Sequence, residues 1–153
     1  MPDRQSKIRA KIIIRIIHPE FDDVDVDDTE KPDIQFVKHR YGVEVTRAFN
    51  IAEGKFYAGM IKDLLEDTDN ITERICHSIN IKTEKAPNYY AENPWMKRLG
   101  LAIIVGYPLD REDLEQVVSK ITPKTRRLYF EIFFIMPLSA YLYDGYKIKI
   151  IME

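Results

Sequence analysis

The sequence predicts an α/β fold, a mixed β-sheet flanked by helices and restriction-endonuclease-like in its order of elements. Three observations point there. Residues 99–107 and 128–135 are apolar and β-branched runs with the length of buried strands. Residues 110–120 open with Asp110, Glu112 and Asp113 and close on Lys120, which matches a helix dipole. Strand-like and helical segments follow one another without a repeat, a low-complexity tract or a linker, so residues 1–153 are expected to form a single domain.

Taken in order, residues 8–17 place Ile8, Ala10, Ile12, Ile14 and Ile16 in alternation, which favours a strand. A helix is the alternative, because Ile8, Ile12 and Ile16 also share a helical face. His18-Pro19 ends the element in either case. Residues 22–30 carry six acids in nine positions and suit an acidic edge strand or a solvated loop. Residues 34–37 and 42–46, joined through His39-Arg40-Tyr41, form a hairpin. Asn50 can cap a helix running to Leu65, with Glu53 at the capping-box position. A second helix is expected over residues 71–79, and residues 82–95, with Pro87, Asn88, Asn93 and Pro94, are expected to be a loop. Residues 141–143 and 148–151 are strands flanking a turn at Asp144-Gly145.

The charge balance excludes a general attraction to nucleic acid. The 23 Lys and Arg face 25 Asp and Glu, for a net charge of −2, so such a partner needs a local basic face or a bound cation. One cysteine, Cys76, rules out a disulfide framework and a cysteine-rich zinc site. The N-terminal residues lack an apolar signal stretch, and residues 128–142 are interrupted by Glu131 and Pro137. A cytoplasmic protein without a membrane partner is expected, with a homo-oligomer left open.

The chemistry concentrates in residues 31–49. With residues 34–37 and 43–46 as adjacent antiparallel strands, Asp33 and Glu44 fall on neighbouring strands. Two carboxylates and a main-chain carbonyl such as that of Val45 make a hard oxygen site suited to Mg²⁺ or Mn²⁺. Thr46 shares the Glu44 face, while Val43 and Val45 turn to the core.

At Pro32-Asp33 and Glu44-Val45-Thr46 the segment resembles the PD-(D/E)XK, or restriction-endonuclease-like, superfamily, whose signature is Pro-Asp followed some ten residues later by Glu-x-Lys. Thr46 stands where that family has its lysine. The resemblance implies a metal-dependent nuclease, a hydrolase of phosphodiesters, with Asp33 and Glu44 as metal ligands. In some members of that family a lysine from the neighbouring helix takes over, and here Lys55 and Lys62 are the candidates, Lys55 the nearer in sequence. Glu53 and Tyr57 resemble the Gln-x-x-x-Tyr helix of some branches. Together with His39 and Arg47 they are the candidate substrate contacts, and nucleic acid is the expected partner.

Other constellations carry less. Asp23-x-Asp25-x-Asp27 lacks the glycine and closing acid of a calcium loop. Cys76 reads as a small core residue, and the cluster Lys120, Lys124, Arg126 and Arg127 as a solvated corner. The alternatives to a nuclease are a non-catalytic binding or assembly module of the same fold and an unrelated α/β interaction protein.

Overall fold

Helix α1 spans Arg4–Ile17, so the strand favoured for residues 8–17 is corrected. Asp3 caps it, accepting the Ser6 N–H at 2.7 Å, and Ser6, Lys7, Ala10, Ile13 and Ile14 are its buried face. That is a helical spacing. Ile8, Ile12 and Ile16 also recur at helical spacing but turn outward, 46%, 58% and 52% exposed. The computed structural model describes residues 3–21, 31–49 and 68–153. The acidic segment 22–30 and the helix expected over residues 50–65, with Glu53, Lys55 and Tyr57, lie outside the described residues.

The other elements are β1 (Ile34–Phe36), β2 (Tyr41–Phe49), α2 (Thr68–Glu92), β3 (Arg98–Val105), α3 (Arg111–Ser119), α4 (Pro123–Leu128), β4 (Glu131–Ile135), β5 (Ala140–Tyr143) and β6 (Ile148–Met152). The six strands form one mixed sheet in sequential order. β1 pairs antiparallel with β2; β2, β3 and β4 run parallel; β5 and β6 return antiparallel. The expected α/β architecture is therefore present, with helices on both faces of the sheet.

Each face has its own core. α2, α3 and α4 cover one, where Ile71, Ile75 and Ile79 meet Leu101, Ile103 and Phe134. α1 covers the other, where Ile13 and Ile14 meet Val43, Val45 and Phe133. A sheet buried on both sides explains why β3 and β4 read as continuous apolar runs rather than alternating ones. Among the described residues, no helix is long and apolar enough to cross a membrane.

Two further sequence expectations are corrected. α2 continues through Pro87 to Glu92, where a loop was expected. The proline ring removes one backbone donor, yet Thr83, Ala86 and Tyr89 beside it are buried, and Tyr90 Oη donates to Leu128 O at 2.7 Å. Packing on both sides of the proline holds the helix together. The run 128–135 is also not one strand: Thr122 caps the short helix α4, and β4 begins only at Glu131.

α3 follows its sequence signal. Asp110 accepts the Asp113 N–H at 2.8 Å and Asp113 accepts the Asp110 N–H at 3.2 Å, a reciprocal cap. Asp110→Ala should cost about 1 kcal/mol, the usual value of an N-cap, read as a lowered midpoint in urea unfolding. An unchanged midpoint would show that α3 is held by packing alone.

Candidate active site

The β1–β2 register pairs Ile34 with Val43 and Gln35 with Gly42. Continued one residue outward, it sets Asp33 opposite Glu44. Strand alternation sends Val43 and Val45 to the α1 side and Glu44, with Thr46 and Ala48, to the α2 side. Glu44 is therefore a carboxyl under a helix, fully buried. Asp33 is almost as deeply buried and is held in place: its Oδ2 accepts the Val45 N–H at 2.9 Å, and its Oδ1 accepts from Lys31 Nζ at 3.2 Å.

Glu44 is less well served. Lys31 Nζ stands 3.8 Å from Oε1 and Lys82 Nζ 3.7 Å from Oε2, in ion-pair range but beyond a hydrogen bond. The Tyr89 hydroxyl approaches without forming a well-shaped bond, so neither Glu44 oxygen has a fixed donor. Lys82 and Tyr89 lie seven residues apart on α2, two helical turns, which puts both above the pair. The Tyr129 hydroxyl braces this part of α2 by donating to Lys82 O at 2.8 Å.

The electrostatics follow from burial and from two acids sharing one space. Loss of solvent raises the Glu44 carboxyl most; hydrogen bonding to Asp33 and the Asp33 charge raise it further, and Tyr89 and Lys82 offset only part of this. The result is a carboxyl pushed up to about 7. Burial also pushes Asp33 up, but hydrogen bonds from Glu44 and the Val45 N–H, with the Lys31 charge, hold it below the ordinary value. One proton is thus shared unequally, with Glu44 the holder. Burial, followed by the Glu44 carboxyl, raises the Tyr89 hydroxyl as well.

No family model matches the chain, no curated protein matches its sequence, and no solved structure matches its fold.

The structure brings Asp33 and Glu44 together and keeps Thr46 on the same face. Val45 contributes its N–H to Asp33, with its side chain in the α1-side core. His39 and Arg47 are not part of this cluster. His39 sits in the turn at the opposite end of the hairpin, its ring 4.5 Å from that of Phe21. Arg47 faces the other side of the sheet and pairs with Asp3 at 2.8 Å. Sequence reasoning missed Lys31, Lys82 and Tyr89. Lys31 adjoins the Pro-Asp pair and was open to notice, whereas Lys82 and Tyr89 belong to a segment read as a loop.

It also missed a second buried polar group on the α1 side. Glu131 Oε1 accepts from the Tyr41 hydroxyl at 2.7 Å and contacts His18 Nε2 at 2.6 Å. Tyr41 passes so close to Gly100 that a side chain there would overlap its hydroxyl. This group locks α1 and β2 to β4.

Proposed function

We propose that the chain is a divergent metal-dependent nuclease-like domain of the restriction-endonuclease-like class, acting on nucleic acid phosphodiesters. The observation that carries the reading is Glu44: an acid buried with both oxygens short of donors, set against a second acid on the adjoining strand. Such a group is costly to the fold, and unsatisfied buried carboxyls concentrate at functional sites. A hard divalent cation would satisfy it.

Asp33 and Glu44 would hold Mg²⁺ or Mn²⁺, with the Val45 carbonyl as a candidate third oxygen. The cation, when bound, supplies positive charge that polarises a phosphodiester and activates water. The residues of the chain do the rest. The Val45 N–H and Lys31 orient Asp33. Lys82, reaching over from α2, provides the cation that Thr46 lacks.

A second reading, a non-catalytic module of the same fold, has its own support. Lys31 and Lys82 stand within ion-pair range of the two acids, and among the described residues no group of three His, Cys, Asp or Glu is placed to hold a metal.

Calorimetric titration with Mn²⁺ separates the two. Wild type should bind weakly, because waters fill most coordination positions. Asp33→Asn and Glu44→Gln, which keep shape and remove charge, should each abolish the heat. Equal binding by all three proteins, or no binding by wild type, would leave the non-catalytic module standing.

A further inference from the structure

A second concentration of chemistry lies where α4, the start of β3 and the β5–β6 turn meet. A pocket of about 670 Å³ there includes Lys97, Arg98, Arg126, Arg127, Phe130 and Tyr146 in its wall. That volume is within the range of small-ligand sites. Four cations line one pocket in a chain whose net charge is −2.

The cations are available. Asp144 is the one acid in the wall, and its charge is neutralised locally. Its Oδ1 accepts the N–H groups of Tyr146 and Lys147, both at 2.9 Å, and its Oδ2 pairs with Lys149 at 3.1 Å. Among the described residues no carboxylate pairs with Lys97, Arg126 or Arg127. The Arg98 guanidinium lies over the Phe130 ring at 4.6 Å, which fixes that ring at the wall.

The aromatic component is as distinctive as the charge. Tyr146 follows Gly145, whose φ of +96° makes the turn, and is 95% exposed. Phe130 is half-exposed and lines the same pocket, with the Arg98 guanidinium over its ring. Guanidinium and ammonium groups in one wall select phosphate, and the exposed ring of Tyr146 selects a flat base.

We propose that this pocket binds a nucleotide unit, with its phosphate on Lys97, Arg126 and Arg127 and its base stacked on Tyr146. The site shares no residue with the Asp33–Glu44 pair and needs no divalent cation. Its test therefore stands or falls separately from the nuclease reading.

The measurement is fluorescence anisotropy of the full chain in EDTA at about 0.1 M salt, with a labelled single-stranded oligonucleotide as probe. Competitors are an unlabelled strand, AMP and inorganic polyphosphate. The double variant Arg126→Ala/Arg127→Ala should weaken binding about tenfold or more and lower the salt slope by about one to two. Tyr146→Ala should weaken it about fivefold or more by removing a stacking face. These side chains are exposed, so the variants keep the fold. Displacement by AMP at equal nucleotide concentration identifies free nucleotides as the ligand. Displacement by the strand alone identifies a strand; either result supports the site. Failure of both the strand and AMP to bind overturns the proposal, as does binding indifferent to both variants. Polyphosphate competing as well as the strand would also overturn it, because the site would then read charge without a base.

Discussion

In the absence of divalent cations, the wild-type protein should lose stability as pH rises from about 5 to about 8, and Glu44→Gln should not. The folded state raises Glu44 from 4.5 to about 7, chiefly through burial and then through Asp33. Between those values the folded chain keeps a proton that the unfolded chain has released, so each step upward in pH favours unfolding. At about 1.4 kcal/mol per pKa unit, the loss accumulates to about 3–4 kcal/mol once pH exceeds the folded value. Asp33 works in the opposite sense. Its folded value is lowered, so its contribution is present above its ordinary range and is lost as pH falls through the folded value. The pair is therefore most favourable between the two, in mildly acidic solution. Glutamine keeps the shape and cannot ionise, so the variant's profile should stay flat across the window and lie above wild type at the alkaline end. Urea unfolding of both proteins across the range is the measurement. Parallel profiles would mean that Glu44 titrates normally and that the buried pair does not exist in solution.

The second large effect concerns Lys82. Under the nuclease reading, a charge developing on a phosphodiester beside Asp33 and Glu44 needs a fixed cation, and removing such a group costs about a hundredfold or more in rate. Lys82→Ala should produce a loss of that size with Mg²⁺ or Mn²⁺, on duplex or single-stranded DNA or on RNA. Thr46→Lys added to Lys82→Ala should return part of it, because position 46 shares the Glu44 face. Lys55→Ala, run in parallel, decides between Lys55 and Lys82: full activity there with loss at Lys82 assigns the cation to Lys82. Asp33→Asn should abolish cleavage altogether. Cleavage that survives Asp33→Asn comes from a contaminant, and no cleavage by wild type under any of these conditions would end the nuclease reading.

The carboxylate pair was legible in the sequence because everything that builds it is local. Strand alternation and a short turn set the hairpin register, and register sets Asp33 across from Glu44. The cation above the pair was not legible. Lys82 reaches Glu44 only because α2 runs unbroken past Pro87, and local rules end a helix near a proline. The burial of Thr83, Ala86 and Tyr89 outweighs that preference.

The same contrast holds across the fold. By itself the sequence determined the elements whose signals are short-range. The hairpin follows from alternation, β3 from an apolar run of strand length, and α3 from the Asp110 and Asp113 caps. It also determined that Glu44 and Val45 point to opposite faces. Tertiary structure alone decided α1, where five alternating positions favoured a strand. A helix buries Ala10, Ile13 and Ile14 on the open face of the sheet and ties down its start through Asp3 and Arg47. It decided as well that His18 and Tyr41 would meet on Glu131, and that Lys97, Arg126, Arg127 and Tyr146 would line one pocket. The physical reason is common to these cases. Periodicity and capping act within a few residues, whereas burial of apolar surface and pairing of charge depend on which distant segments the sheet brings side by side.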